Sequence, residues 1–302
     1  MRKTRVLAIG ASMLVLLGAC STGGGSSTPI KIGSDGFYEA RLMGEIYAQV
    51  LEKAGYTVER NLGLGARDVT SAAIESGQID LKPEYIGSGL GFYDPSKPSG
   101  DAAANAAALG EVLADKGGGI SVLAYTPGED TNAFVVRSDT ASERNLTKIS
   151  DLTAIAGELT WGLPPECVDN PLCGGALLDA YGIDVTALQV TPLAACDAPI
   201  AEALNGNAID VAELCSTQPA IDQFGFVVLE DDKQTQPAEN IAPIVRNDYL
   251  AKVDEAAFRA LLDAASAKMT TEELTRLGVE VAVDQKDVAD VAREWLTAQG
   301  LL

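Results

Sequence analysis

A chain of 302 residues, 47% of them hydrophobic and 22% charged, is long for one compact core and comfortable for two folded lobes. Its formal charge of −21 makes nucleic acid and anionic lipid surfaces poor partners. Histidine is absent, which excludes Ser-His-Asp and Cys-His catalysis and removes the commonest metal ligand; Asp and Glu are plentiful, but their spacing picks out no catalytic pair.

In chain order, Arg2, Lys3 and Arg5 precede a short run rich in apolar residues over 6–17, closed by Leu17-Gly18-Ala19-Cys20. This is the layout of a secretory signal peptide over 1–19, too short for a stable transmembrane span. The closing tetrapeptide resembles the bacterial lipobox, in which cleavage precedes a cysteine that carries diacylglycerol, and two acyl chains suffice for stable anchoring. Cys20 is therefore the expected lipid attachment site. The remaining 283 residues, carrying −24 once Arg2, Lys3 and Arg5 are gone, are expected outside the cytoplasm, held to the cell membrane through lipid only. Residues 20–29, rich in Gly and Ser, read as a flexible tether.

Residues 29–33 then read as a short buried strand, and 39–54 as a helix with Leu42, Ile46, Val50 and Leu51 on one face, stopped by Gly55. A strand over 56–60, a helix N-capped by Asp68 and ended near Gly77, and a strand from 78 to about 85 complete the grammar of a parallel α/β sheet. Ligands of such sheets gather at strand carboxyl ends, here residues 34–38 and 84–88. A helix over 102–115 and strands over 121–125 and 133–137 follow. A second, similar unit starts with a helix capped around 149–152. It continues with strands at 159–162, 187–191, 208–213 and 226–229, with helices at 174–181 and 199–205. Gln78-Ile79-Asp80 and Asn207-Ala208-Ile209-Asp210 occupy matching places in the two units. A strand over 241–246 and helices over 254–269, 271–277 and 284–298 finish the chain. The expected organisation is one lobe from 30–129 plus 240–302 and another from 130–239, with crossovers near 130 and 238.

Beyond Cys20 there are four cysteines, an even number in an exported chain, which favours disulfides. Of the three pairings open to them, Cys167–Cys173 and Cys196–Cys215 are favoured. No two have CxxC spacing, so no metal site is expected, and no cofactor.

Several segments in order, Ile32-Gly-Ser-Asp-Gly-Phe-Tyr-Glu39, Leu51-Glu-Lys-Ala-Gly-Tyr-Thr-Val58, Gly77-Gln-Ile-Asp-Leu81, Pro83-Glu-Tyr-Ile-Gly87, Leu229-Glu-Asp-Asp-Lys233 and Ala242-Pro-Ile-Val-Arg246, resemble the glycine betaine/carnitine/choline (osmoprotectant) substrate-binding proteins of ABC importers. The resemblance spans about 29–302 and implies a type II periplasmic-binding-protein fold. That means two α/β lobes joined by two crossover segments, closing on a small solute without catalysis. It also implies ABC permease and ATPase subunits as partners, and a monomer. The family holds a quaternary ammonium in a tyrosine cage by cation–π attraction and its carboxylate on a basic pair. By this resemblance Tyr85 is a cage residue, Ser88 and Thr217 line the pocket, and Asp130 belongs to the first crossover. Asn132, Cys215 and Glu239 stand where cage or neighbouring tyrosines are expected, and Asp35 and Asn170 where the basic pair is. The pocket is thus expected to have lost most of its cage and clamp, and to suit a polyhydroxylated or cationic solute better than a betaine. The competing reading is an accessory or ligand-sensing surface lipoprotein with no transport role.

Overall fold

The computed structural model describes residues 28–302; the expected signal peptide, Cys20 and most of the expected tether lie outside the described residues. Among the described residues no helix is long and apolar enough to cross a membrane.

Strand β1 (Ile30–Gly33) has Ile30 and Ile32 wholly buried. Helix α1 (Tyr38–Lys53) follows and is buried over most of its length, because it packs on the sheet and against the C-terminal helices Glu255–Ser266 and Val288–Ala298. Strand β2 (Val58–Asn61) leads to α2 (Arg67–Ser76), which ends at Gly77 in the left-handed conformation with φ 78°. Asp68 does not cap this helix. Ala66 holds the N-cap position, and Asp68 lies in the first turn, where a negative charge favours the helix dipole. Strand β3 (Leu81–Tyr85) runs straight into α3 (Ile86–Tyr93), a helix absent from the sequence reading because three glycines conceal its propensity. In α4 (Ala102–Ala114) the Asp101 carboxylate caps the backbone N–H groups of Ala103 and Ala104 at 2.9 and 3.1 Å. Strand β4 (Ile120–Val122) is shorter than expected.

The chain then builds a second sheet from β5 (Asn132–Val136), β6 (Thr160–Leu163), β7 (Gln189–Pro192), β8 (Val211–Cys215) and β9 (Val227–Val228), and returns to the first as β10 (Ile241–Arg246). The helix expected around 149–152 is a single 3-10 turn, and the helix Ser138–Arg144 was not anticipated. The sheet orders are β2-β1-β3-β10-β4 and β7-β6-β8-β5-β9. Neither sheet is purely parallel. β10 runs antiparallel to β3 and β4, and β5 antiparallel to β8 and β9. The reason is topological: β1, β3 and β8 run toward the junction between the sheets, whereas β5 and β10 are the first strands after a crossing and run away from it.

The two units repeat one local design. The Asp80 carboxylate accepts from Lys31 N–H at 2.9 Å, and its own N–H donates to Lys31 O at 2.7 Å. Asp210 does the same with Thr160, at 2.9 and 2.7 Å. Each preceding isoleucine fills the space over a glycine of the neighbouring strand. A Cβ on Gly33 would lie 2.5 Å from Ile79 Cδ1, and one on Gly162 2.4 Å from Ile209 Cδ1. Both sheets are covered on both faces, by the clusters around Met43, Tyr47 and Trp295 and around Ile74, Ile86 and Leu109 in the first, and around Trp161 and Leu177 and around Ile200 and Leu204 in the second.

Candidate ligand-binding cleft

The two crossings run side by side. Glu129 and Asn240 form an antiparallel bridge, and Asp130 N–H donates to Glu239 O at 3.2 Å. Asn240 Nδ2 donates to Thr126 O at 3.0 Å and Gly128 O at 3.2 Å. Above this ribbon lies a cleft of about 640 Å³. Gly36, Phe37, Tyr38, Glu39, Arg67, Tyr85 and Ser88 line it from the first sheet's side, Asp130 and Glu239 from the crossings, and Asn132, Asn170, Leu172, Ala195, Cys196, Asp197 and Cys215 from the second.

Of the residues singled out from the sequence, Tyr85, Ser88, Asp130, Asn132 and Glu239 lie on the cleft wall together. Thr217 is fully buried just behind it. Its hydroxyl donates to Glu39 Oε2 at 2.9 Å and its N–H to Asp130 Oδ1 at 3.0 Å. Asp35 is not a lining residue. It accepts from Thr70 Oγ1 at 2.5 Å and pairs with Lys82 Nζ at 3.1 Å, and Lys82 is wholly buried. The disulfides are Cys167–Cys173 and Cys196–Cys215. The first closes the loop that carries Asn170 and Leu172, and the second forms part of the wall itself. Cys167, Cys173 and Glu213 cluster within 4.8 Å, but both sulfurs are bound in the disulfide and offer no thiolate to a metal. Because that disulfide sulfur carries no proton, the 2.9 Å contact between Glu213 Oε2 and Cys173 Sγ fits a protonated carboxyl, and burial together with the charge of Glu166 raises Glu213 to about 8.

Phe37 and Tyr38 fall in the 34–38 stretch expected to gather ligands, although neither was named as a contact, whereas Glu39 and Arg67 are wall residues outside both expected stretches. All but Arg67 stand inside the quoted segment ending at Glu39, at the carboxyl end of β1, so the signal was available. Phe37 and Tyr85 have ring centroids 5.7 Å apart. With Tyr38 they give the cleft three aromatic side chains, where the sequence reading counted one, so less of the aromatic wall is lost than expected.

A ladder of charge runs behind this wall. Lys82 Nζ pairs with Glu84 Oε2 at 2.9 Å, and Arg67 Nε with Glu84 Oε1 at 3.0 Å. Arg67 Nη2 donates to Ser88 Oγ at 2.7 Å, and Ser88 Oγ donates to Glu239 Oε2 at 3.2 Å. Burial alone would raise the Glu84 carboxyl, but Lys82 and Arg67 outweigh it and hold it below the ordinary range. Glu239 is pushed up to about 8 by burial, with Ser88 and Arg67 opposing. Glu39 is raised to about 8 by burial and then by the charge of Asp130, and burial raises Asp130 to about 6 against the hydrogen bonds from Thr217 and Ser216. Tyr38 and Tyr85 are raised by burial first and by Glu39 second, so both remain neutral hydroxyl donors.

The helix α3 approaches the returning crossing closely. A Cβ on Gly87 would lie 2.7 Å from Ala238 O and 3.0 Å from Glu239 Cδ. Gly87→Ala is therefore expected to cost about 1–3 kcal/mol through overpacking, read by urea unfolding, and to displace Glu239 from Ser88.

The profile described as the substrate binding domain of the ABC-type glycine betaine transport system, OpuAC, matches residues 28–298. The chain belongs to this family. It is similar to the glycine betaine-binding protein YehZ of Escherichia coli strain K12, with 29% identity over 305 residues and 98% of each chain covered. It is also similar to a glycine-betaine-binding protein of Pseudomonas aeruginosa, with 28% identity over 298 residues covering 96% of this chain and 94% of that one. Among solved structures, apo YehZ from Escherichia coli superposes with a TM-score of 0.72 at 26% identity, covering 91% of this chain and 100% of that one. A glycine betaine/carnitine/choline ABC transporter structure reaches 0.76 at 23% identity, covering 90% of this chain and 99% of that one, and speaks for the fold. OpuAC-family proteins are non-enzymatic, extracytoplasmic solute-binding proteins that work with ABC permease and ATPase subunits. The fold is accordingly the two-lobed periplasmic-binding-protein architecture. The Asp231 of the segment Leu229–Lys233 serves that architecture. It accepts from the Tyr181 hydroxyl and from Thr235 and Gln236 N–H at 2.6 and 2.8 Å, and Gln236 Nε2 donates to Leu172 O at 2.8 Å, tying the loop to the cleft wall.

Proposed function

We propose that this protein captures a small organic cation of the alkylated-ammonium class, free of a carboxylate, and delivers it to an ABC permease. The observation that carries the reading is the pairing of three aromatic side chains with carboxyl groups that have no cation of their own, Glu39 and Asp130. Aromatic faces attract an ammonium by about 0.5–2 kcal/mol each, and the carboxylates add direct charge attraction. The one cation on the wall among the described residues, Arg67, already answers Glu84 and faces Glu239, which leaves a betaine carboxylate poorly paired.

In this reading the lobes, 30–129 with 240–302 and 130–239, close about the two crossings, Cys20 carries the lipid anchor, and the protein acts as a monomer. Closure joins groups from both lobes, as Glu39 and Thr217 already are. Calorimetric titration tests the ligand class: choline is expected to bind about tenfold or more tighter than glycine betaine, which corresponds to about 1.4 kcal/mol. A low-micromolar dissociation constant for glycine betaine with none for choline overturns the reading. Tyr85→Ala is expected to weaken choline about 2- to 30-fold in the same titration.

A further inference from the structure

Glu39 and Asp130 come from distant parts of the chain and meet across Thr217. The Thr217 hydroxyl reaches one carboxyl at 2.9 Å and its N–H the other at 3.0 Å, while Tyr85 Oη donates to the remaining oxygen of Glu39 at 2.5 Å. Glu39 is 1% exposed. The titratable groups facing it are Tyr85 from the end of β3, Tyr38 from its own helix and Asp130 from the outgoing crossing; those facing Asp130 are Glu39, Tyr38 and Tyr85. Among the described residues no lysine or arginine acts on either carboxyl. The nearest cation of the cleft, Arg67, is engaged by Glu84, Glu239 and Asp35 instead.

Two carboxylates of like charge, Glu39 buried and Asp130 half-buried, without a counter-cation, cannot both stay ionised at low cost, so the pair retains a proton. Neutral donors from Tyr85, Thr217 and Ser216 supply hydrogen bonds but no net positive charge. A permanent ammonium set against the aromatic wall supplies that charge. It stabilises the fully ionised pair, and the retained proton leaves to water while the total charge in the cleft is unchanged.

We propose that a cationic solute enters this cleft in exchange for one proton held by the Glu39–Asp130 pair. The proposal rests on the cationic-solute reading above and adds a proton stoichiometry to it. The sign follows from linkage. The cleft without a cation holds the proton well above the ordinary carboxylate range, because burial and the charge of Asp130 raise Glu39, and the cation-bound cleft releases it at lower pH. Association therefore strengthens as pH rises, by up to about tenfold per unit, and levels off above the titration of the free pair.

The test is calorimetric titration of choline chloride and tetramethylammonium chloride into the chain at pH 7, in phosphate and in Tris, repeated at pH 6 and pH 8.5. Buffer-dependent heats corresponding to about one proton released per cation, with affinity rising about tenfold between pH 6 and pH 7, are expected. Glu39→Gln is expected to abolish the release, whereas Glu239→Gln, whatever it does to affinity, retains it. Should Glu39→Gln not fold, Asp130→Asn serves in its place: burial still raises Glu39, but without the like charge the pH at which affinity levels off is expected to move down, and an unmoved value overturns the pairing. Binding with buffer-independent heats overturns the proton exchange and leaves the cationic reading standing. Release lost in Glu239→Gln but kept in Glu39→Gln overturns the assignment to this pair. Failure of both cations to bind at every pH overturns the cationic reading and the exchange with it.

Discussion

Lys82→Met is expected to destabilise the protein by about 3–5 kcal/mol, because it leaves the buried Asp35 carboxylate without its ion-pair partner and Glu84 with Arg67 alone. Methionine matches the lysine stem in length, so lost packing contributes little and the deficit is electrostatic. Urea unfolding at neutral pH measures it. Lys97→Met is the control: Lys97 is 43% exposed and 3.7 Å from Asp94, so about 0–1 kcal/mol is expected there. The pH dependence separates charge from packing. The folded Glu84 carboxyl is held below its ordinary value, so its contribution is present above the ordinary carboxylate range and is lost as pH falls through the folded value. The gap between wild type and Lys82→Met should therefore narrow in acid. A gap that stays constant from neutral pH into acid would identify packing as the cause. Because Glu84 also holds Arg67, the substitution is expected to disturb the cleft wall at Ser88 and Glu239.

Replacing both Cys196 and Cys215 by serine is expected to cost about 3 kcal/mol, the chain-entropy value for a closed loop of about twenty residues. The bond spans a sequence separation of 19 and ties the segment after β7 to the last residue of β8. Cys215 lies opposite Asn132 in the sheet and is followed by Ser216 and Thr217, the residues that hold Asp130. Loss of the bond should thus lower the melting temperature and also weaken solute binding, by about tenfold if Thr217 loses its two carboxyl contacts at about 1 kcal/mol or more together. Treatment of the wild type with dithiothreitol should reproduce both effects. A double serine variant that melts like the oxidised protein and binds as well would show that the bond constrains nothing of consequence.

Much of the architecture was legible because local rules and global packing agree in it. Gly77 and Gly182 stop helices in left-handed conformations, and the Ile79-Asp80 and Ile209-Asp210 pairs mark equivalent turns. Strand direction was less legible. Hydrophobic runs such as 241–246 read alike whichever way they are crossed, and only the route of the chain between sheets makes β10 antiparallel. The cleft was half legible. Tyr85, Ser88, Asp130, Asn132 and Glu239 could be placed by ordered resemblance. Arg67 and Glu39 look in the sequence like ordinary helix-end charges, and their meaning arises from partners 17 and 178 positions away. Asp35 was misplaced for the same reason, since its partner Lys82 reads as a surface cation although it has no exposed surface.

The paired crossings have a mechanical consequence. Two ribbons tied by the Glu129–Asn240 bridge and by Asp130 N–H to Glu239 O resist sliding past each other, because sliding breaks those bonds, whereas bending across the pair keeps them. That leaves a joint with essentially one easy motion. In the closure proposed above the bending falls at Asp130 and Glu239, which are also faces of the cleft. A molecule seated there pushes on the axle itself, so the protein needs no relay between sensing its cargo and swinging shut.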